Sequence, residues 1–389
     1  MRVLVVWELG GGYGHVAQLP QLAQQLAQAG HEAVFALRDL SQVEMSLGRQ
    51  GLRLLQAPLW LPRPAGLPPT ANYAELLYTC GYLEVERLGA VVRAWRELYA
   101  LVAPDVVLLN HAPTALLSTR GLGLRTVRFG TGFECPPPVS PLPGFAEQVP
   151  LQRLQGSEQR VTEALRHVCA ELGFGALQSF AELSRADATL LCTFAPLDPY
   201  RAVRVAGEYI GPLLSPATGE EPRWREGDGR RIFAYLKSSY PSYQAVLSEL
   251  ADSPHRTLVH TPNLATQLRQ RIATERLQFC GSVDMHAVSN TADIVVSHGG
   301  HGTTAATLLG GCPQLLLPMH PEQGLNARSV TELGAGMALT QISHGALQAS
   351  LACLADDDRY RVAAADFAAA HADFAPQNPF TALLSRIAG

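Results

Sequence analysis

Two doubly wound α/β domains in tandem are the fold class that the sequence predicts, and three observations carry that reading. The chain has 389 residues, too long for one ordinary domain and comfortable for two. Short apolar runs alternate with helical patterns through most of its length, as in parallel sheets covered on both faces. A Gly-rich turn follows a strand-like run once in each half, at the strand end where open α/β sheets bind ligands.

The elements follow in order. Val3–Trp7 is apolar throughout and reads as a buried first strand. Leu19, Leu22, Ala23 and Leu26 then keep helical spacing, Gly30 suits the C′ position, and Glu32–Leu37 forms the next strand. Asp105–Asn110, Leu124–Phe129 and Ala188–Phe194 continue the series. Two Pro-rich stretches, Ala57–Pro69 and Cys135–Pro150, are too irregular for sheet and too apolar for simple linkers. Glu220–Arg231, with Pro, Gly and mixed charge, reads as interdomain. A second series of strands follows at Arg231–Leu236, Arg256–His260, Asp293–Ser297 and Gln314–Leu317. Helices are expected over Ser242–Ala251, Thr303–Leu309, Gln323–Leu333 and most of 345–371. The expected division is 1–205, a linker 206–230, 231–370, and a C-terminal helix in 371–389 that packs back on the first domain.

Composition narrows the function classes. Hydrophobic residues make up 47% and charged residues 16%, which supports sizeable cores and argues against disorder. The balance of 30 basic against 34 acidic side chains gives no basic face for nucleic acid. Seven scattered cysteines with no CxxC pair argue against a disulfide framework and a Cys-based zinc site, and no metal site is expected. No apolar run approaches the roughly 18 residues of a membrane span. A cytoplasmic setting is therefore expected, with peripheral membrane contact left open.

Two regions carry chemistry. In the first, Gly10-Gly11-Gly12-Tyr13-Gly14-His15, glycine lets the backbone turn tightly beside a ligand, and His15 opens a helix at a strand's carboxyl end. His15 there is either a general base or a helix-start histidine bonded to loop backbone. In the second, Ser297-His298-Gly299-Gly300-His301-Gly302-Thr303-Thr304, three glycines, hydroxyls and histidine meet at a helix start. Unpaired N–H groups make such an end a site for a diphosphate, whereas capping alone would need only Thr303. Downstream, Glu322 and Gln323 offer adjacent acceptor and donor groups for sugar hydroxyls, or simply occupy a first helical turn.

His298 through Ala327, HGGHGTTAATLLGGCPQLLLPMHPEQGLNA, resembles the donor-binding signature of family 1 glycosyltransferases of the bacterial type. Gly14-His15, the Leu22-Ala23 helix and Gly30-His31 resemble the N-terminal signature of the same enzymes, and Gly211-Pro212-Leu213 resembles their GPL near the hinge. The resemblance implies a GT-B fold, two Rossmann-like domains facing a cleft. It also implies inverting, metal-independent transfer of a hexose from a UDP- or dTDP-sugar to an acceptor hydroxyl. The nucleotide-sugar is then a co-substrate, and no cofactor is needed. His15 would be the base. Gly14, Ser238, His298, Gly300, Gly302, Thr303 and Thr304 would hold the diphosphate side of the donor, and Glu322 with Gln323 its sugar. Lys237 stands where the family usually has glycine, and Ala306 where plant members carry a ribose-binding glutamate.

Many relatives pair the base with an aspartate after a mid-domain strand. Asn110 takes that place here, so either His15 works unaided on an acidic acceptor such as a phenol, or Glu134 or Glu8 assists it, or the site is silent. Trp60, Tyr73, Tyr78 and Phe133 are candidates to line a pocket for a small apolar or aromatic acceptor, or they cover the first domain's core. Two rival functions remain in view at this stage: a nucleotide-sugar epimerase or hydrolase, and a non-catalytic nucleotide-sugar-binding partner protein.

Overall fold

The computed structural model describes residues 1–388 apart from 12, 44–46, 48–50, 63–65 and 215–218. Part of the Ala57–Pro69 stretch and of the first Gly-rich turn thus lies outside the described residues. The chain forms two compact units, one running from Met1 to Leu213 and rejoined by the segment from Pro376, the other Leu214–Ala375.

The first unit is built on a parallel sheet of seven strands among the described residues: β1 (Arg2–Trp7), β2 (Glu32–Leu37), β3 (Arg53–Gln56), β4 (Val106–Asn110), β5 (Arg125–Gly130), β6 (Ala188–Leu191) and β7 (Glu208–Tyr209). Their order is β3-β2-β1-β4-β5-β6-β7. The central strands read as unbroken apolar runs because helices cover both faces: Val3 through Val6 have no exposed surface. Strand order reverses between β1 and β4, the switch point at which such sheets open a crevice. Register aligns the ends there, with Trp7 opposite Asn110 and Asn110 opposite Phe129. Residues just beyond those three strands are therefore neighbours in space.

The second unit repeats the plan with β8 (Arg231–Tyr235), β9 (Arg256–His260), β10 (Leu277–Cys280), β11 (Ile294–Ser297), β12 (Gln314–Leu316) and β13 (Gly336–Ala338), ordered β10-β9-β8-β11-β12-β13. Its switch point falls between β8 and β11. Ser297 pairs with Leu316, so the turns after β11 and β12 emerge side by side.

Two sequence expectations need correction. Part of the expected linker, Glu208–Tyr209, is the edge strand β7, paired with Leu190–Leu191 of β6. The expected second-domain and C-terminal boundary also moves, because the last helix is Asn378–Ala388. Phe380, Leu383 and Ile387 of that helix are buried in the core of the first unit, and Arg386 pairs with Glu208 at 2.7 Å. Strands β3, β7, β10 and β13 escape the sequence reading. Each is two to four residues long and only partly buried, as sheet edges are.

Candidate active site

His15 ends a short turn of 3-10 helix, Tyr13–His15, that follows β1, and the residue is 9% exposed. The imidazole stacks on the indole of Trp7, with centroids 5.4 Å apart. Its Nδ1 lies 2.9 Å from Asn110 Oδ1. The amide is oriented by its other end: Asn110 Nδ2 donates to Phe129 O at 3.1 Å and towards Glu134 Oε2 at 3.4 Å. Oδ1 must therefore be the atom facing His15, so Nδ1 carries the proton and Nε2 keeps its lone pair. That is the tautomer a general base needs.

Charge enters from Glu134, on the loop after β5. Glu134 Oε1 lies 3.4 Å from the same Nδ1, while Oε2 accepts from Thr131 N at 2.8 Å. Asn110 thus orients the ring, and the Glu134 carboxyl group stands beside it. Two glycines make room for this arrangement. A Cβ on Gly10, where φ is +82°, would stand 2.4 Å from His15 Nε2, and one on Gly130 would stand 2.3 Å from Glu134 Oε2. Glycine at both positions keeps the base approachable and the carboxylate seated.

Glu8, the other charge candidate, serves a different element. Its Oε2 accepts from Thr114 N at 2.9 Å and Ala115 N at 3.0 Å, capping the helix Pro113–Ser118. Burial lifts its carboxyl from 4.5 to about 7 despite those donors. The folded state then holds the proton more tightly than the unfolded chain, so stability falls as pH rises from about 4.5 to about 7. Glu8→Gln is expected to gain on the order of 2 kcal/mol relative to wild type between pH 5 and pH 8. Urea melts at the two pH values check it; an unchanged difference rejects the shift.

The aromatic candidates divide. Tyr73 and Phe133 join His111 in a run leading from His15: the His111 centroid is 6.3 Å from His15, 6.0 Å from Tyr73 and 5.9 Å from Phe133. Tyr78 donates instead to Ser157 O at 3.2 Å, bracing the helix Leu151–Leu172. Trp60 lies against Gly81 and beneath the Arg87 guanidinium, 5.6 Å from the ring centroid. Both are placed as packing residues.

His111 was missed as a site residue because alternation along β4 would turn it away from Asn110. Its φ of +42° breaks that alternation just past the strand. Burial holds its imidazole well below the usual histidine pKa, hence neutral.

In the second unit the helix His301–Leu309 begins after Gly300 with no side-chain cap. The first intrahelical bond is Thr304 N to Gly300 O, so the N–H groups of His301, Gly302 and Thr303 precede it. A Cβ on Gly300 or Gly302 would meet nothing within 4 Å, which leaves this end approachable by a ligand. Burial lowers the His301 pKa to about 4, so the first helical residue adds no charge. Ser238, just after β8, is exposed, as is Lys237 beside it.

Two expected donor contacts are corrected. His298 Nδ1 bonds Leu317 O at 2.9 Å, and its Nε2 accepts from Lys237 N at 2.9 Å. Both ring nitrogens are thus spent on backbone. The imidazole ties together the ends of β8, β11 and β12, and so braces the glycine turn that opens the helix. Thr304 is fully buried, and its Oγ1 has no hydrogen-bond partner among the described residues. Thr304→Val is therefore expected to stabilise the protein by about 1 kcal/mol and to leave nucleotide affinity unchanged, readable by thermal melts and calorimetry.

Gln323, in the first turn of the helix Pro321–Glu332, commits its Oε1 to Met319 N at 2.8 Å, and half-buried Glu322 precedes it. Asn326 Nδ2 donates to Gly299 O at 2.9 Å, locking this helix to the glycine turn.

Two parallel-sheet α/β units of this topology, each with a Gly-rich turn at its switch point, match the GT-B class of fold. The structure of Spinosyn Rhamnosyltransferase SpnG matches at TM-score 0.68 and 20% identity, covering 100% of both chains. SsfS6, a glycosyltransferase of Streptomyces sp. SF2575, matches at TM-score 0.64 and 21% identity, over 98% of this chain and 99% of that one.

Residues 244–382 match the family model of the Erythromycin biosynthesis protein CIII-like C-terminal domain. The PGL/p-HBAD biosynthesis glycosyltransferase Rv2958c of Mycobacterium tuberculosis (strain H37Rv) is 24% identical over 280 residues. That match takes in 66% of this chain and spans 64% of the relative's length. The 3-alpha-mycarosylerythronolide B desosaminyl transferase of Saccharopolyspora erythraea is 33% identical over 93 residues, 23% of this chain and 22% of that protein. The chain is thus similar to bacterial glycosyltransferases in its second unit and in its GT-B fold. Among the described residues, no helix is long and apolar enough to cross a membrane.

Proposed function

We propose that the protein is an inverting, metal-independent hexosyltransferase that uses a UDP- or dTDP-sugar and a small apolar or aromatic acceptor. The observation that carries this reading is His15: a histidine whose Nδ1 is tied to Asn110 and faced by Glu134, and whose Nε2 faces Gly10. The acceptor hydroxyl gives its proton to Nε2 as its oxygen attacks the anomeric carbon, and the bond from that carbon to the phosphate oxygen breaks. The imidazolium so formed is stabilised by Glu134. A single displacement inverts the anomeric centre. The departing nucleoside diphosphate takes the electron pair, and its charge meets the free N–H groups of Gly302 and Thr303 at the helix start, with Ser238 beside β8. Gly14 lines the base side of the donor, and Glu322 with Gln323 binds the sugar hydroxyls. Tyr73 and Phe133 form the acceptor wall.

The thymidine form of the donor is favoured, because SpnG and SsfS6 are each described in complex with thymidine diphosphate, and SpnG also with spinosyn aglycone. The experiment measures nucleotide release from UDP- and dTDP-hexoses with and without a panel of hydroxylated aromatic and macrolide acceptors, in chelator. Release that requires an acceptor is expected. Donor conversion without one would instead indicate an epimerase or hydrolase, and donor binding with no turnover a binding protein.

A further inference from the structure

The base site holds a second histidine that the transfer reaction does not use. His111 is 4% exposed, and its Nε2 is buried with no hydrogen-bond partner among the described residues. Its φ of +42° is a conformation that side chains other than glycine adopt at a cost of about 1–3 kcal/mol. A strained residue with an orphaned polar atom, set beside the catalytic base, calls for an explanation in ligand binding.

One donor each from His15, His111 and Glu134 lie within 4.8 Å of one another. His111 and Glu134 also line a cavity of about 10 Å³, room for one ion or one water. We propose that His15, His111 and Glu134 form a site for a borderline-soft divalent cation of the Zn²⁺ class, whose binding switches the base off.

Two imidazoles and a carboxylate are a donor set that zinc favours, with bonds of about 2.0–2.2 Å. Tetrahedral bonds of that length put donors about 3.3 Å apart. Glu134 Oε1 and His15 Nδ1 already stand at 3.4 Å, so His111 is the ligand that must close. Asn110 Oδ1, 2.9 Å from the same nitrogen, or a water supplies the fourth position. Arg128 lines the same cavity, but its guanidinium is turned to the carbonyls of Pro136 and Ser184.

The chemical consequence follows from the tautomer. A cation on Nδ1 takes that nitrogen's lone pair and displaces its proton, which moves to Nε2. Nε2 then has no lone pair to accept the acceptor's proton. No bond to substrate forms or breaks, and chelation reverses the state. This inference rests on the geometry around His15. Its first readout is spectroscopic and independent of transferase activity, so its failure is distinguishable from failure of the proposed reaction.

The full-length protein, stripped with chelator, is titrated with Co²⁺ while the visible d–d bands of four-coordinate cobalt are followed, and then with Zn²⁺ in competition. One equivalent of tetrahedral Co²⁺ is expected, displaced by Zn²⁺. His111→Phe keeps the ring stack and His111→Asn suits the left-handed backbone; both are expected to weaken Co²⁺ binding at least tenfold. Where transfer is measurable, each variant should need at least tenfold more Zn²⁺ for half-inhibition, judged against its own rate in chelator. Octahedral Co²⁺ bound at several equivalents, or both variants binding as tightly as wild type, would overturn the proposal.

Discussion

Replacing His15 with alanine should lower kcat by about 10²- to 10⁴-fold, the usual contribution of a positioned general base. The diphosphate is proposed to bind at a helix start of the other unit, so thymidine diphosphate should bind the variant within about twofold of wild type. Calorimetry alongside stopped-time product assays separates the two effects. A variant that loses nucleotide binding with turnover has lost more than a base; one that keeps full turnover shows the proton leaves by another route. His15→Gln preserves most of the stacking on Trp7 and should be as inactive, because an amide nitrogen has no basic lone pair.

The second large effect should come from a methyl group. Gly10→Ala places a Cβ 2.4 Å from His15 Nε2 in the present geometry, at a backbone position where φ is +82°. The ring must tilt away, dragging Nδ1 from Asn110, and displacements of about 1 Å at a reacting group can cost about 10²-fold in rate. The left-handed backbone adds a stability loss of about 1 kcal/mol. A fall in kcat near 10²-fold with a small loss of stability is the expected pattern, measured by kinetics and thermal melts together. An equal rate would mean that Nε2 does not work from this side of the loop.

How much of this was legible in the sequence follows from the range of the interactions involved. The buried strands announced themselves because parallel strands covered on both faces must be apolar throughout, as in Val3–Trp7. The two turns were visible because glycines cluster just past the end of a strand in each half, around Gly10 and Gly300. Edge strands such as Gly336–Ala338 were not, since three residues with one wet face carry no periodic signal.

At the site, Asn110 and Glu134 were identified as candidates, but their joint action was not. The bonds that orient the Asn110 amide, to Phe129 O and Glu134, join residues 19 and 24 positions away. His298 misled for a related reason. A histidine beside glycines at a helix start looks like a ligand contact, and only the structure shows its two nitrogens used by Leu317 and Lys237 backbone. Thr304 falls to helical geometry: once the helix starts at His301, its fourth residue faces the core.

The measurement that tests the account most directly is a charge exchange between Asn110 and Glu134. Asn110→Asp alone turns two donations, to Phe129 O and Glu134, into contacts between acceptors. It should reduce kcat by about tenfold or more. Glu134→Gln alone removes the charge behind His15 and should do likewise. Combined, the two substitutions return one carboxylate and one amide to the same cluster with their places swapped, and kcat should recover to within about tenfold of wild type. Independent, multiplying losses in the double variant, or an Asn110→Asp enzyme as fast as wild type, would contradict the division of labour in which Asn110 aims the base and Glu134 charges it.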